Sequence, residues 1–296
     1  MIRDYIKILR VSHWIKNLFV FVPLVFSKTL TDFNNLLMAL GAFLSFSLAS
    51  SIVYIVNDIF DMEADKNHPQ KKFRPIAAGR VTKPNAFFVA VILFALLVIV
   101  SIHFSFLFLL SLGTYLVINI LYSIKLKEIV ILDIFIIASG FTLRVFGGAL
   151  AIDVYISNWL ILTTLFLSLF LAVMKRRSEL NINNTQSTTR KVLEYYSNNF
   201  IDQISSITAG GVIICYALYS VSERTEIFFN SDIFIYTTIF VIFGIFRYMF
   251  LVYHKNKGED PTREIISDIP MIVNIILYTL TIIFIAYSSQ IKSLFI

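Results

Sequence analysis

One cysteine, Cys215, is all that this chain of 296 residues carries, so an intramolecular disulfide and a multi-cysteine metal cluster are excluded. Glycine and proline are scarce, ten and six residues, which rules out collagen-like and Pro/Gly-rich disordered chains. Charge is scarce too. Asp, Glu, Lys and Arg make up 15% of the residues, against about 25% in an ordinary soluble domain. What is abundant is apolar: 57% hydrophobic residues, 29 of them Phe, with a mean hydropathy of +0.79. Such a composition fits an integral membrane protein, measured out at about 20 residues per crossing.

Apolar runs long enough to cross a bilayer fall near 14–30, 35–56, 84–103, 105–124, 129–151, 158–175, 204–222, 232–253 and 269–289. The third and fourth are nearly continuous and are divided around His103, because about 40 apolar residues exceed one crossing. Lys16 and Asn17 interrupt the first run and no small-residue cleavage pattern follows it, so it is expected to be retained. The reading is an all-α bundle of nine transmembrane helices. No tandem repeat and no Gly/Ser- or Pro-rich linker divides it, so residues 1–296 are expected to form one integral domain.

Net charge is +6, and its placement carries more than its size. With the N-terminus in the cytoplasm, the segment that precedes the first span, with Arg3, Lys7, Arg10 and Lys16, and the segments after the second, fourth, sixth and eighth spans lie on one side and carry most of the Lys and Arg. Only Lys28, Arg224 and Lys292 fall on the other side, while Arg144 and Arg247 fall inside spans. The positive-inside rule then puts the N-terminus in and the C-terminus out. A cell (inner or plasma) membrane is expected, with the chemistry facing the cytoplasm in the longest loops, 57–83 and 176–203.

At its cytoplasmic end the second span runs into Asn57, Asp58, Asp61, Glu63 and Asp65. On a continued helix, Asn57, Asp61, Asp65 and Asp58 fall at about 0°, 40°, 80° and 100°, one face. Hard oxygen ligands so clustered suit Mg2+, which takes one or two carboxylates and fills its shell with water and phosphate oxygens. A solvated helix end is the bland alternative, but acidic residues oppose the dipole at a helix C-terminus. His68, Lys71, Lys72 and Arg74 follow at once. Carboxylates succeeded by cations can seat a metal-bound polyanion, although a basic run also serves topology and headgroup contact.

These residues resemble the first signature of the UbiA superfamily of intramembrane transferases, Asn-Asp-x-x-Asp-x-x-x-Asp, here Asn57, Asp58, Asp61 and Asp65. Similar stretches are WIKNLFVFVPLVF at 14–26, HPQKKFRPIAAGRV at 68–81, YSIKLKEIVILD at 122–133, GFTLRVFGGA at 140–149, KRRSEL at 175–180 and, with less weight, GEDPTREIISDIP at 258–270. Within the superfamily the likeness is to the branch that joins phosphoribosyl diphosphate to a polyprenyl phosphate. Ordinary prenyl-transferring members carry a second acidic motif, Asp-x-x-x-Asp. At the end of the sixth span this chain has Lys175, Arg176, Arg177 and Glu179 instead. Three cations would repel a second magnesium but suit a second phosphate.

The resemblance therefore implies magnesium on Asn57, Asp58, Asp61 and Asp65, with phosphoribosyl diphosphate and a polyprenyl phosphate lipid as partners and no nucleic acid. Asp58, Asp61 and Arg74 are the residues expected to act in the reaction. Lys16, Asn17, Lys71, Arg74, Tyr122, Lys127, Arg144, Lys175, Arg176 and Arg177 are the expected substrate-binding residues. For Lys127 and Tyr122, interfacial anchoring stands equally. Arg144 lies deep in a span, where an ionised group usually faces an internal cavity; a structural pair is its alternative. Two competing functions are a prenyltransferase acting on an aromatic acceptor, which requires a second carboxylate pair, and a transporter, which would show broken helices and mid-bilayer charges in repeated positions.

Overall fold

The computed structural model describes residues 2–68, 70–183, 191–229, 232–255 and 261–294. Among them every regular element is a helix, and nine stretches are long and apolar enough to cross a membrane: Arg3–Phe26, Phe33–Phe60, Lys83–Ser101, Phe106–Ile124, Leu132–Ala151, Asn158–Leu180, Asn198–Ser220, Ile233–His254 and Ile269–Ala286. The chain divides into two compact units. One comprises Met1–Leu24, Thr29–Val154 and Thr189–Val192; the other comprises Val25–Lys28, Tyr155–Thr188 and Leu193–Ile296.

In the first unit α1 (Ile2–Leu9) leads into a 3-10 helix (Val11–Phe21), then the start of α2 (Val22–Phe26), whose last two residues are counted with the second unit, α3 (Phe33–Phe60), α4 (Met62–Lys66), α5 (Lys83–Ser101), α6 (Phe106–Ile124) and α7 (Leu132–Ala151). Side-chain caps set several starts: Asp32 accepts from the Asn34 and Asn35 amides, Thr82 from Asn85, and Ser105 from Phe108, each worth about 1 kcal/mol. Ser105 explains why the apolar stretch around His103 is two helices and not one. Helix α3 is the central element, more buried than any other span and packed against α5, α6, α7 and the 3-10 helix. Its Phe46 and Ile55 lie in one core with Val20, Phe108 and Tyr115. Two glycines let α7 come close: a Cβ on Gly148 would lie 2.0 Å from the Val20 carbonyl oxygen, and one on Gly147 would lie 2.4 Å from the Phe46 ring.

The second unit contains α8 (Asn158–Asn183), α9 (Asn198–Ser220), α10 (Glu223–Phe229), α11 (Thr238–Lys255), α12 (Pro261–Ser267) and α13 (Ile269–Leu294). Phe170, Met174, Val212, Tyr248 and Val252 form its core.

Three boundaries depart from the sequence expectation, one of them the seventh span, which begins at Asn198 rather than 204. The first span starts at Arg3 rather than 14, as a composite broken at Arg10, whose φ of 49° and ψ of 48° are left-handed. A hydropathy run misses this because Arg3, Lys7 and Arg10 dilute it, although α1 buries Ile8 completely. The expected loop at 176–203 begins as helix, since α8 continues to Asn183. Charge ends the membrane-compatible run there, but Lys, Arg, Glu and Leu are good helix formers and continue the backbone. The middle of that loop, 184–190, lies outside the described residues.

Candidate active site

Helix α3 ends at Phe60, and Asp61 sits at φ −83° and ψ 2° before α4 resumes at Met62. The expected continuous helix is thus interrupted at Asp61. The register nevertheless survives, because the Asp61 amide donates to the Asn57 carbonyl and the Asp65 amide to the Asp61 carbonyl, each at 2.8 Å. Asp58 and Asp65 are buried, 3% and 4% exposed, and converge: Arg74 Nη1 donates to Asp58 Oδ1 at 3.2 Å and to Asp65 Oδ2 at 2.5 Å. Arg10 Nη2 donates to the same Asp58 oxygen at 2.5 Å. Asp61 receives Lys127 Nζ on Oδ1 at 2.5 Å and Asn57 Nδ2 on Oδ2 at 2.9 Å.

Three motif carboxylates are therefore held by Arg10, Arg74 and Lys127, brought from three different parts of the first unit. Such charge-assisted contacts make burial of Asp58 tolerable, since a lone buried carboxylate would be strongly penalised. Among the described residues no three His, Cys, Asp or Glu side chains are arranged to hold a metal ion. The donors are nonetheless the hard oxygens that a magnesium ion takes, and a single cationic nitrogen already sits between two of the carboxylates.

Other expected residues gather elsewhere in the same unit. Arg144, 5% exposed, donates from Nε to Asn17 Oδ1 at 2.6 Å, from Nη1 to the Gly140 carbonyl at 2.8 Å and from Nη2 to the Tyr115 hydroxyl at 2.9 Å. Asn17 in turn donates to Ser47 Oγ and Ser50 Oγ at 3.0 and 3.3 Å. Asn17 and Arg144 thus bind one another, and both have protein partners. Lys16, Lys71 and Tyr122 are half-buried in this unit.

Lys175, Arg176 and Arg177 lie on α8 in the second unit. Arg176 is fully buried and pairs with Glu179 Oε2 at 2.5 Å. Arg177 Nε donates to Asp202 Oδ1 at 2.7 Å, and Tyr253 donates its hydroxyl to the same oxygen at 3.0 Å. Arg247 makes a two-pronged contact with Asp268, both distances 2.9 Å, and Asp268 also caps α13 by accepting from the Met271 amide.

Sequence reasoning missed Arg10, Tyr115 and Asp202. Arg10 was absorbed into the positive-inside tally; a sharper signal was its place one helical stretch before Trp14, Lys16 and Asn17. Tyr115 carries no signal within an apolar run. Asp202 is an acid at the entrance to a span, which alone marks it for a partner.

Apolar helical spans, with a buried carboxylate cluster ringed by Arg and Lys at a span's end, define an integral membrane protein. The sequence profile of the UbiA prenyltransferase family matches residues 18–276, and the chain belongs to that family. A Mycolicibacterium smegmatis protein named decaprenyl-phosphate phosphoribosyltransferase is 35% identical over 228 residues, 75% of this chain and 72% of that protein. A Mycobacterium tuberculosis protein of the same name is 33% identical over 225 residues, 74% of each chain. Among solved structures, a UbiA homolog from Archaeoglobus fulgidus bound to GPP and Mg2+ matches with a TM-score of 0.72 at 14% identity, over 96% of this chain and 99% of that one. At that identity the likeness establishes the fold.

Proposed function

We propose that the chain transfers a 5-phosphoribosyl group from phosphoribosyl diphosphate to a membrane polyprenyl phosphate, releasing diphosphate. The observation that carries this reading is the 33–35% identity, over about three quarters of the chain, to proteins named for that reaction. The substitution at the end of α8 supports it. A prenyltransferase of the ordinary kind needs a second carboxylate pair there; the carboxylate present, Glu179, is engaged by Arg176.

Magnesium would be held by Asn57, Asp58, Asp61 and Asp65, where it would supply Lewis-acid stabilisation of a departing diphosphate. Arg74 and Lys127, already placed on the same carboxylates, neutralise further charge on the phosphate oxygens. The anomeric C–O bond to the diphosphate breaks with oxocarbenium character at the ribose, and an acceptor phosphate oxygen forms the new bond to the anomeric carbon. That oxygen is ionised at neutral pH, so the reaction requires no general base. Lys175 and Arg177 bind a donor phosphate, while Arg176, buried on Glu179, holds α8 in place for them. We further propose that both units serve one transferase domain, since the family match runs through both, and that the acidic cluster faces the cytoplasm of a cell membrane.

The test is transfer by purified protein with labelled phosphoribosyl diphosphate, polyprenyl phosphate and Mg2+. Asp61→Asn is expected to lower the rate by at least about 100-fold, the scale of losing one transition-state charge contact. Full activity with unchanged magnesium dependence would contradict the assignment of Asp61.

A further inference from the structure

A membrane crossing is complete without α1. The 3-10 helix Val11–Phe21 and α2, rising about 2.0 and about 1.5 Å per residue, together cover about 30 Å, the thickness of the hydrocarbon core. The eight residues of α1 precede this stretch across Arg10, whose left-handed backbone separates the two. They therefore fall at the level of the lipid headgroups, on the side of the acidic cluster that Arg10 meets.

The two faces of α1 differ in kind. Tyr5, Ile8 and Leu9, three and four positions apart, turn inward: Ile8 is completely buried with Ile76 and Val81 in the core of the unit, and Tyr5 and Leu9 pack against it. Arg3, Ile6 and Lys7 make up the opposite face and are exposed, Ile6 by 56%. The one carboxylate of the helix, Asp4, does not offset these cations, because Arg80 Nε donates to its Oδ1 at 2.9 Å. Two cations beside an apolar side chain on an open face suit a helix that lies in a bilayer surface and favours anionic lipid. The inward contacts tie α1 to the segment that leads into α5. Arg80 also donates from Nη2 to the Phe73 carbonyl at 2.7 Å, and Asn85 Nδ2 donates to the Tyr5 hydroxyl at 3.2 Å. Phe73 is a second exposed apolar residue, 65% open with Lys72 Nζ 5.3 Å from its ring centre, and it immediately precedes Arg74.

We propose that the Arg3, Ile6 and Lys7 face of α1 is a seat for an anionic phospholipid surface, and that its occupancy raises the activity of the enzyme. Arg3 and Lys7 meet headgroup phosphates while Ile6 enters the boundary of the acyl chains. Asp4 and Arg80 carry the seating to the backbone at Phe73, so the lipid surface braces the segment that supplies Arg74 to the acidic cluster. The activation rests on the proposed transferase reading; the lipid contact does not.

The full chain carrying Cys215→Ala and Ile6→Cys, labelled at position 6 with an environment-sensitive fluorophore, is reconstituted in vesicles of phosphatidylcholine, alone or with about one third phosphatidylglycerol. In the mixed vesicles the emission is expected to move to the blue and to be quenched by a quencher placed on the acyl chains, an effect that salt weakens and that soluble glycerol phosphate does not reproduce. Adding Arg3→Gln and Lys7→Gln removes the difference between the two lipids, each cation near an anionic surface being worth about fivefold in affinity. Equal emission in both lipids, a difference that survives the loss of both cations, or its reproduction by glycerol phosphate overturns the seat. With the native Ile6, phosphoribosyl transfer is expected to be several-fold faster in the mixed vesicles. Arg3→Gln with Lys7→Gln keeps the rate in phosphatidylcholine, which also shows that the variant is folded, and loses the stimulation. Asp4→Asn keeps the fluorescence response and loses the stimulation. Equal rates of the native chain in both lipids, or stimulation undiminished in these variants, overturns the activation. No transfer in either lipid refutes the proposed function, and the activation with it, and leaves the lipid seat standing on the fluorescence response.

Discussion

Asp58 shows how a carboxylate can be buried at the end of an apolar helix: two guanidiniums, from Arg10 and Arg74, meet one of its oxygens. The acidic residues could be read in the sequence because acids at the C-terminal end of an apolar run oppose both hydropathy and helix dipole. Their partners could not, because an arginine near a cytoplasmic helix end is what topology alone demands. Arg144 was conspicuous for the opposite reason, its depth, and the structure gives it Asn17, Gly140 and Tyr115. Replacing it by Met leaves the Asn17 carbonyl oxygen buried without its donor, and is expected to lower stability by about 1–3 kcal/mol. The double variant Arg144→Met with Asn17→Leu should lose less than the sum of the singles, because the orphaned oxygen is removed too. Thermal melting in detergent measures this cycle, and strict additivity would contradict a direct bond.

At the scale of elements, the apolar spans followed from composition, and caps such as Ser105 refined their ends. The 3-10 helix did not follow, since WIKNLFVF has no composition that separates 3-10 from α. Its form is imposed by neighbours, through the serines of α3 and the absent side chain of Gly148. Gly148→Ala would push a Cβ to within 2.0 Å of a backbone oxygen, so the 3-10 helix or α7 must move. A loss of about 1–3 kcal/mol or more is expected. Gly113→Ala, where nothing lies within 4 Å, is the control and should be neutral or slightly stabilising, as helix propensity favours Ala by roughly 0.5–1 kcal/mol. Equal melting temperatures for the two variants would contradict the close contact. The continuation of α8 to Asn183 was hidden because charge marks the edge of a membrane and not the end of a helix.

For the whole molecule, nine runs of apolar residues sufficed to find the spans, and the scarcity of other charge made the distribution of Lys and Arg informative about orientation. The division into two units was not visible, because no linker or change of composition accompanies it. Orientation is testable with the chain's own economy of thiols. On a Cys215→Ala background, Gln70→Cys and Lys125→Cys are expected to react with an impermeant maleimide only after cells are opened, and Glu223→Cys in intact cells. The reverse pattern would invert the topology and place the acidic cluster outside.

The activity itself is decided by following the label. Purified protein is given Mg2+, phosphoribosyl diphosphate labelled in the ribose and a polyprenyl phosphate, alongside a parallel incubation with a prenyl diphosphate and an aromatic acceptor. Ribose label entering the lipid phase, dependent on Mg2+ and abolished by Asp61→Asn, is the predicted result. Label that stays in water while the prenyl diphosphate is consumed would contradict phosphoribosyl transfer and favour prenyl transfer to an aromatic acceptor.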